Sequence, residues 1–169
     1  LAGGGFPLTI DGTIEELVLT VDGTASGTIS LTNQAYANLA ALAAELQIKI
    51  NADTTLRDAG KAATVTVSGD NLLITSSLLG SDSSVAVSNV GADTTVATIG
   101  FGGATGTAGT DLVGTINGQA GVAAGNRLTG AAVSAASGLS LDITTTTGGT
   151  ITVSDGVMDQ LDALLSSFL

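Results

Sequence analysis

The sequence contains neither cysteine nor histidine. That removes disulfide frameworks, thiolate zinc sites, imidazole general acids and bases, and Ser-His-Asp triads together. Most familiar hydrolase chemistry goes with them, and no cofactor site is expected; the lack of cysteine by itself assigns no compartment. Tryptophan is absent, aromatic residues make up 2% of the chain, and the single proline is Pro7. With 24 glycines in 169 residues, this argues against one deep aromatic core and for thin sheets faced with small side chains. Positive charge is also scarce, at 4 Lys+Arg against 15 Asp+Glu, a formal net charge of -11. Such a chain repels phosphate backbones and anionic lipid, so no nucleic acid and no membrane is expected as a partner. Lys49, Arg57, Lys61 and Arg127 are scattered and form no basic patch. No run approaches the roughly 18 apolar residues of a membrane helix.

What is present is Ala, Val, Leu and Ile in Thr-rich, period-two runs separated by Gly, Asp and Asn. The expected fold is α+β and predominantly β: small antiparallel sheets, one amphipathic helix packed on a sheet, and a C-terminal helix leading to a coiled-coil part. The centre of the chain runs from Asn33 to Ser88. A helix from about Tyr36 to Ala52 follows from Leu39, Leu42, Ala43, Leu46 and Ile50, which fall on one stripe. Leu39, Leu42, Leu46 and Ile50 are its core face, Asn33 or Asn38 suits its start, and Asn51 or Asp53 its end. Glu45 stands four residues before Lys49, in the better orientation for an ion pair, yet an exposed pair contributes only about 0.3–0.5 kcal/mol. Burial of the stripe must hold the helix. Its partners are Leu17, Leu19 and Val21 before it and a hairpin after it, Ala63 to Ser68 and Leu72 to Ser76, with Val65 and Val67 facing inward.

Along the chain, Pro7 and Leu8 to Ile10 read as a leading linker with a short edge strand. Asp22-Gly23 is a hairpin signal, with Ile29 and Leu31 in the return strand. Thr54 to Lys61 reads as a polar helical turn, Val85 to Val90 as a strand, and Thr94 to Phe101 as a last apolar segment. The domain expectation is 1–101 as a β-rich domain, 102–110 as a glycine-rich linker, 111–154 as a second β segment that completes the first or stands apart, and 155–169 as the start of a helical leg. Within the second segment, Leu112 to Ile116 and the Asn117-Gly118 turn come first. Gly121 to Gly130 reads as loose, and Leu139 to Ile143 pairs across Gly148-Gly149 with Ile151 to Val153. Met158, Leu161, Leu165 and Phe168 fall at spacings of three, four and three, a helix-packing seam. Leu1 in place of a start Met, with an apolar C-terminal end, predicts a piece of a longer polypeptide.

Candidate chemistry is thin. Asp22, Asp70, Asp82 and Asp93 sit in turns where aspartate is explained by turn chemistry, and no calcium loop or tandem repeat is present. Gly102 to Gly109 lacks the lysine of a phosphate loop. Tyr36 alone makes a poor sugar platform, and packing at the helix end is the better reading.

Two stretches resemble known proteins. Residues 28–31 (TISL), 36–53 (YANLAALAAELQIKINAD), 63–67 (ATVTV) and 71–76 (NLLITS) resemble the flagellin IN motif, with Ile50-Asn51 as the Ile-Asn pair. Residues 114–118 (GTING), 128–130 (LTG), 149–154 (GTITVS) and 156–169 (GVMDQLDALLSSFL) are similar to the flagellar filament-capping family, hook-associated protein 2. Where that family has an Arg-Gly pair before the terminal helix, this chain has Asp155-Gly156, so no role for the arginine carries over. The resemblance implies an extracellular structural protein, not an enzyme, exported by the flagellar secretion apparatus. It implies a homo-oligomeric ring at the filament tip with flagellin as partner, and further contacts with hook-filament junction proteins and host glycans. The alternatives it leaves open are a tip adhesin binding host glycans or mucin, and the variable outer domain of a flagellin.

Overall fold

Leu17, Leu19 and Val21 alternate with Glu16, Val18 and Thr20, and the strand they make is the one on which the N-terminal part is assembled. The structure, a computed structural model, describes residues 5–143 and 164–167. In chain order the elements are β1 (Leu8–Thr9), β2 (Glu16–Val21), β3 (Thr24–Ala25), β4 (Ile29–Ser30), β5 (Ala35–Tyr36), α1 (Leu39–Ala52), α2 (Thr54–Asp58), β6 (Ala63–Ser68), β7 (Asn71–Ser76), β8 (Val85–Asn89) and α3 (Thr95–Thr98). They continue with β9 (Thr115–Ile116), β10 (Gln119–Ala120), β11 (Val122–Ala124), β12 (Arg127–Thr129) and β13 (Ser140–Asp142). The strand pairs are antiparallel and the sheets small, an α+β fold dominated by β structure.

β2 is central: β8 pairs along one side of it, and β3 and β4 along the other. The β2–β3 turn is Asp22-Gly23, at φ 49° and 79°, the left-handed pair that a tight hairpin needs. Thr20 faces Ala25 but Leu17 faces Ile29, so the return side carries one extra residue, a β-bulge. Ser26 fills it. Its N–H donates to Leu19 O at 2.8 Å, and its Oγ accepts from Leu19 N–H at 3.0 Å. The N–H of Gly27 donates to Asp53 Oδ2 at 2.9 Å. The return side is therefore two short pieces.

α1 begins at Leu39, three residues later than its periodicity suggests, because Tyr36 belongs to β5 opposite Leu8. Tyr36 is buried and its hydroxyl donates to Thr32 O at 3.0 Å. Asn38 caps the helix, its Oδ1 accepting from Ala41 N–H at 2.9 Å. Leu39, Leu42, Ala43, Leu46 and Ile50 are all buried, in one core with Leu17, Leu19, Val21, Ile29 and Leu31. Each fully buried Leu or Ile contributes about 1.5–3 kcal/mol, well beyond the Glu45–Lys49 pair at 3.6 Å. Asp53 ends the helix, donating its N–H to Ile50 O, and caps α2 by accepting from Leu56 N–H at 2.8 Å.

Ala63, Val65 and Leu72 of the β6–β7 hairpin close the core against α1, whereas Val67 is 42% exposed. The expectation that Val67 faces inward fails because α1 meets the hairpin at Ala63 and Val65, through Gln47, and the residues from Val67 to Asn71 run past the core. The apolar segment after Thr94 forms a helix of four residues, α3, with Val96 and Ile99 buried.

In the C-terminal part, Asn117-Gly118 turns β9 into β10, and β11, β12 and β13 form a three-stranded sheet with Leu128 buried. Gly121 to Gly130 is thus a hairpin rather than a loose stretch, turned at Gly125-Asn126, with Gly125 at φ 63°. Of Leu112 to Ile116, Thr115–Ile116 is the strand. Arg127 and Asp142 pair in bidentate fashion across β12 and β13, at 2.7 and 2.9 Å. The expected strand Ile151 to Val153 and the helix from Asp155 lie outside the described residues, apart from a helical turn at 164–166.

Candidate interaction groove

Two aspartates organise the ground between the two parts of the chain. Asp22, at the hairpin turn, has a side chain only 3% exposed. Its Oδ1 accepts from Ser84 N–H and its Oδ2 from Ser76 Oγ, both at 2.9 Å, with Lys61 Nζ 4.0 Å away. The end of β7 and the start of β8 are pinned to one carboxylate. Asp111 works the same way on the other side of the 80–84 turn. It accepts from Ser81 N–H and Ser81 Oγ at 2.9 Å and from Gly125 N–H at 3.0 Å. The Ser81 N–H and then the Gly125 N–H hold its carboxyl below the usual carboxylate range.

The glycine-rich strip between these parts lies against protein. Gly109 N–H donates to Ser83 O at 3.3 Å and to Ser83 Oγ at 3.2 Å. A side chain at Gly106 would run into Val85 O, and one at Gly109 into Gly80 O. The glycines here allow backbone to pack on backbone.

Between β7, β8 and this strip opens a groove of about 840 Å³. The full length of β7 forms one wall, Val85 to Val87 the other, Phe101 and the strip the floor, and Gly125 and Asn126 part of the rim. None of the described residues lining it is charged, in a chain of net charge -11. Apolar walls with scattered hydroxyl and amide groups suit binding.

The residues singled out in the sequence lie elsewhere. Leu39, Leu42, Leu46 and Ile50 are brought together in the core. Leu165 is exposed in the short 164–167 segment, and Met158, Leu161 and Phe168 lie outside the described residues. No group of three or more Asp or Glu side chains that could hold a metal ion occurs among the described residues, and no helix among them is long and apolar enough to cross a membrane. The ties of Asp22 to Ser76 and Ser84, of Asp53 to Gly27 and of Asp111 to Ser81 and Gly125 gave no sequence signal beyond turn propensity, since these partners are remote along the chain. Compared with known proteins, the chain matches no family model, no curated protein and no solved structure.

Proposed function

We propose that this chain is an outer portion of an extracellular structural protein of the bacterial flagellum, one that caps the filament tip as a homo-oligomeric ring and promotes insertion and folding of flagellin. What supports the reading is the resemblance of two stretches to that family, and one observation adds weight to the first. The quoted segments 28–31, 36–53, 63–67 and 71–76 fold against one another as β4, α1, β6 and β7. Gln47 ties α1 to β6: its Nε2 donates to Ala63 O at 3.0 Å and to Asn51 Oδ1 of the Ile-Asn pair at 2.9 Å, and its Oε1 accepts from Val65 N–H at 2.7 Å. The quoted segments thereby share one hydrophobic core.

In this reading the work is done by shape and subunit contact, without bond-making chemistry. Deleting the gene in its host tests it, with filament length and free flagellin in the medium as readouts. Short or missing filaments with flagellin leaking out support the cap. Normal filaments with lost surface attachment make it an adhesin, and missing filaments with no flagellin released make it a flagellin.

A further inference from the structure

We propose that the groove between β7 and β8 is filled by this chain's own residues 144–154. The place where the chain leaves β13 carries the argument. Ile143 N–H donates to Asn126 O at 2.8 Å and Asn126 Nδ2 donates to Ile143 O at 3.2 Å, while Asn126 itself lines the groove. The chain thus passes out of β13 at the groove's rim. The residues that follow read TTTTGGTITVS, with no charge before Asp155 and with Ile151 and Val153 as the apolar side chains. Those two stand two apart, so an extended backbone presents both on one face. A stretch of this length reaches at most about 36–40 Å when extended, against roughly 20 Å for a strand as long as β7.

The groove matches that segment in chemistry. Leu73, Leu78 and Leu79, which line it, are 49%, 41% and 57% exposed, and none of its described residues is charged. A charged occupant would be buried without a counter-ion, and residues 144–154 carry no charge. The two walls differ in what their backbones offer. At Val85 the edge of β8 is covered by Gly106 of the strip. On β7 the Ser77 N–H to Ala62 O bond sets the phase of the ladder with β6, so Leu72 and Ile74 direct their backbone groups away from β6. Among the described residues, neither of these N–H groups has an acceptor. Ile151 to Val153 is a β-branched run of the kind that pairs at such an edge. Tethering decides between this segment and an outside partner: a segment held at the rim competes at an effective concentration in the millimolar range. The groove is then an internal joint between the C-terminal part and β7. This inference goes beyond the capping role and does not depend on it.

Because the chain has no cysteine, Thr152→Cys gives the whole chain a single nitroxide spin label on the face opposite Ile151 and Val153. Two samples are compared, one in which the spin-labelled chain itself carries nitrogen-15, and one in which spin-labelled chain is mixed with unmodified nitrogen-15 chain. Loss of the amide signals of Leu73 to Thr75 is expected in the first and not in the second. Separately, Ile151→Asp combined with Val153→Asp should quicken amide exchange at Leu72 and Ile74 about tenfold, whereas Thr152→Asp should leave it slow. The spin-label comparison stands even if the double aspartate variant fails to fold. Signal loss at Leu73 to Thr75 in the mixed sample would give the groove to a second copy, and loss confined to Leu139 to Asp142 would place the segment along β13. Either result, no signal loss in β7, or unchanged exchange at Leu72 and Ile74 in a folded double variant would overturn the proposal.

Discussion

Asp22 and Ser84 hold each other twice: the N–H of Asp22 donates to Ser84 O at 2.9 Å, and the N–H of Ser84 donates to Asp22 Oδ1 at 2.9 Å. The second bond replaces a main-chain carbonyl with a carboxylate, which leaves Oδ2 to take Ser76 Oγ from β7. One side chain at a tight turn thus fixes where two edge strands converge, and with them the closed end of the groove.

Asp22→Gly separates the carboxylate from the backbone it stands on. Glycine accepts the positive φ of 49° at no steric cost, so the turn survives while Ser84 N–H and Ser76 Oγ lose their acceptor. Urea unfolding should show a loss of about 2–4 kcal/mol, against about 1 kcal/mol for Ser76→Ala. A variant as stable as the parent would mean that the carboxylate contributes nothing to the corner.

Gln47 makes the same kind of prediction at the helix. Gln47→Leu keeps the length and the helix but leaves Val65 N–H and Ala63 O without side-chain partners, at a cost of about 1–3 kcal/mol. Gln47→Glu keeps an acceptor for Val65 and loses the donor to Ala63. Amide exchange at Val65 should quicken in the leucine variant and stay slow in the glutamate one; equal rates in both would remove Gln47 as the tie between α1 and β6.

These ties mark the limit of what the sequence makes legible. The stripe from Leu39 to Ile50 can be read because a helix repeats every 3.6 residues and its core positions are all Leu, Ile or Ala. Asp22-Gly23 and Asn117-Gly118 can be read because positive φ narrows the choice of residue. Gly125-Asn126 carried the same kind of signal, but short flanking runs of Val, Ala and Thr hid the hairpin. The bulge at Ser26 left no trace, since its geometry depends on Asp53, 26 residues from Gly27. Val67 alternates as a buried residue should and is exposed only because the hairpin outruns its helix. The groove was out of reach for the same reason: its two walls are edges of different sheets, brought side by side at Asp22.

Acid should loosen both the helix and the junction with the C-terminal part. Hydrogen bonds from Thr32, with a smaller contribution from Lys49, hold the carboxyl of Glu45 below its ordinary value, and Ser81 and Gly125 do so for Asp111. Both groups have lower pKa values folded than unfolded, so the unfolded chain takes up protons first as pH falls. Their stabilisation is complete above about pH 4.5 and is lost on descending through the folded-state values. Urea midpoints measured from pH 6 downward should fall below about pH 4.5, and Asp111→Asn should flatten that decline. A decline unchanged by Asp111→Asn would deny Asp111 a part in it.

Gly106→Ala decides whether residues 102–110 behave as a tether or as packed structure. The composition of the strip predicts a linker, and a linker tolerates alanine anywhere without loss. In the structure a Cβ at Gly106 meets Val85 O, and that oxygen cannot retreat without moving β8. The alanine must instead lift the strip from the strand, an overpacking cost of about 1–3 kcal/mol. Gly103→Ala is the control: it has open space but sits at φ 77°, so it carries a conformational cost of about 1 kcal/mol and no collision. Only Gly106→Ala should also quicken exchange at Gly109 N–H, which is held by Ser83. If it unfolds at the same urea concentration as the parent and leaves Gly109 protected, the strip is a tether, and the floor of the groove is not fixed by contact with β8.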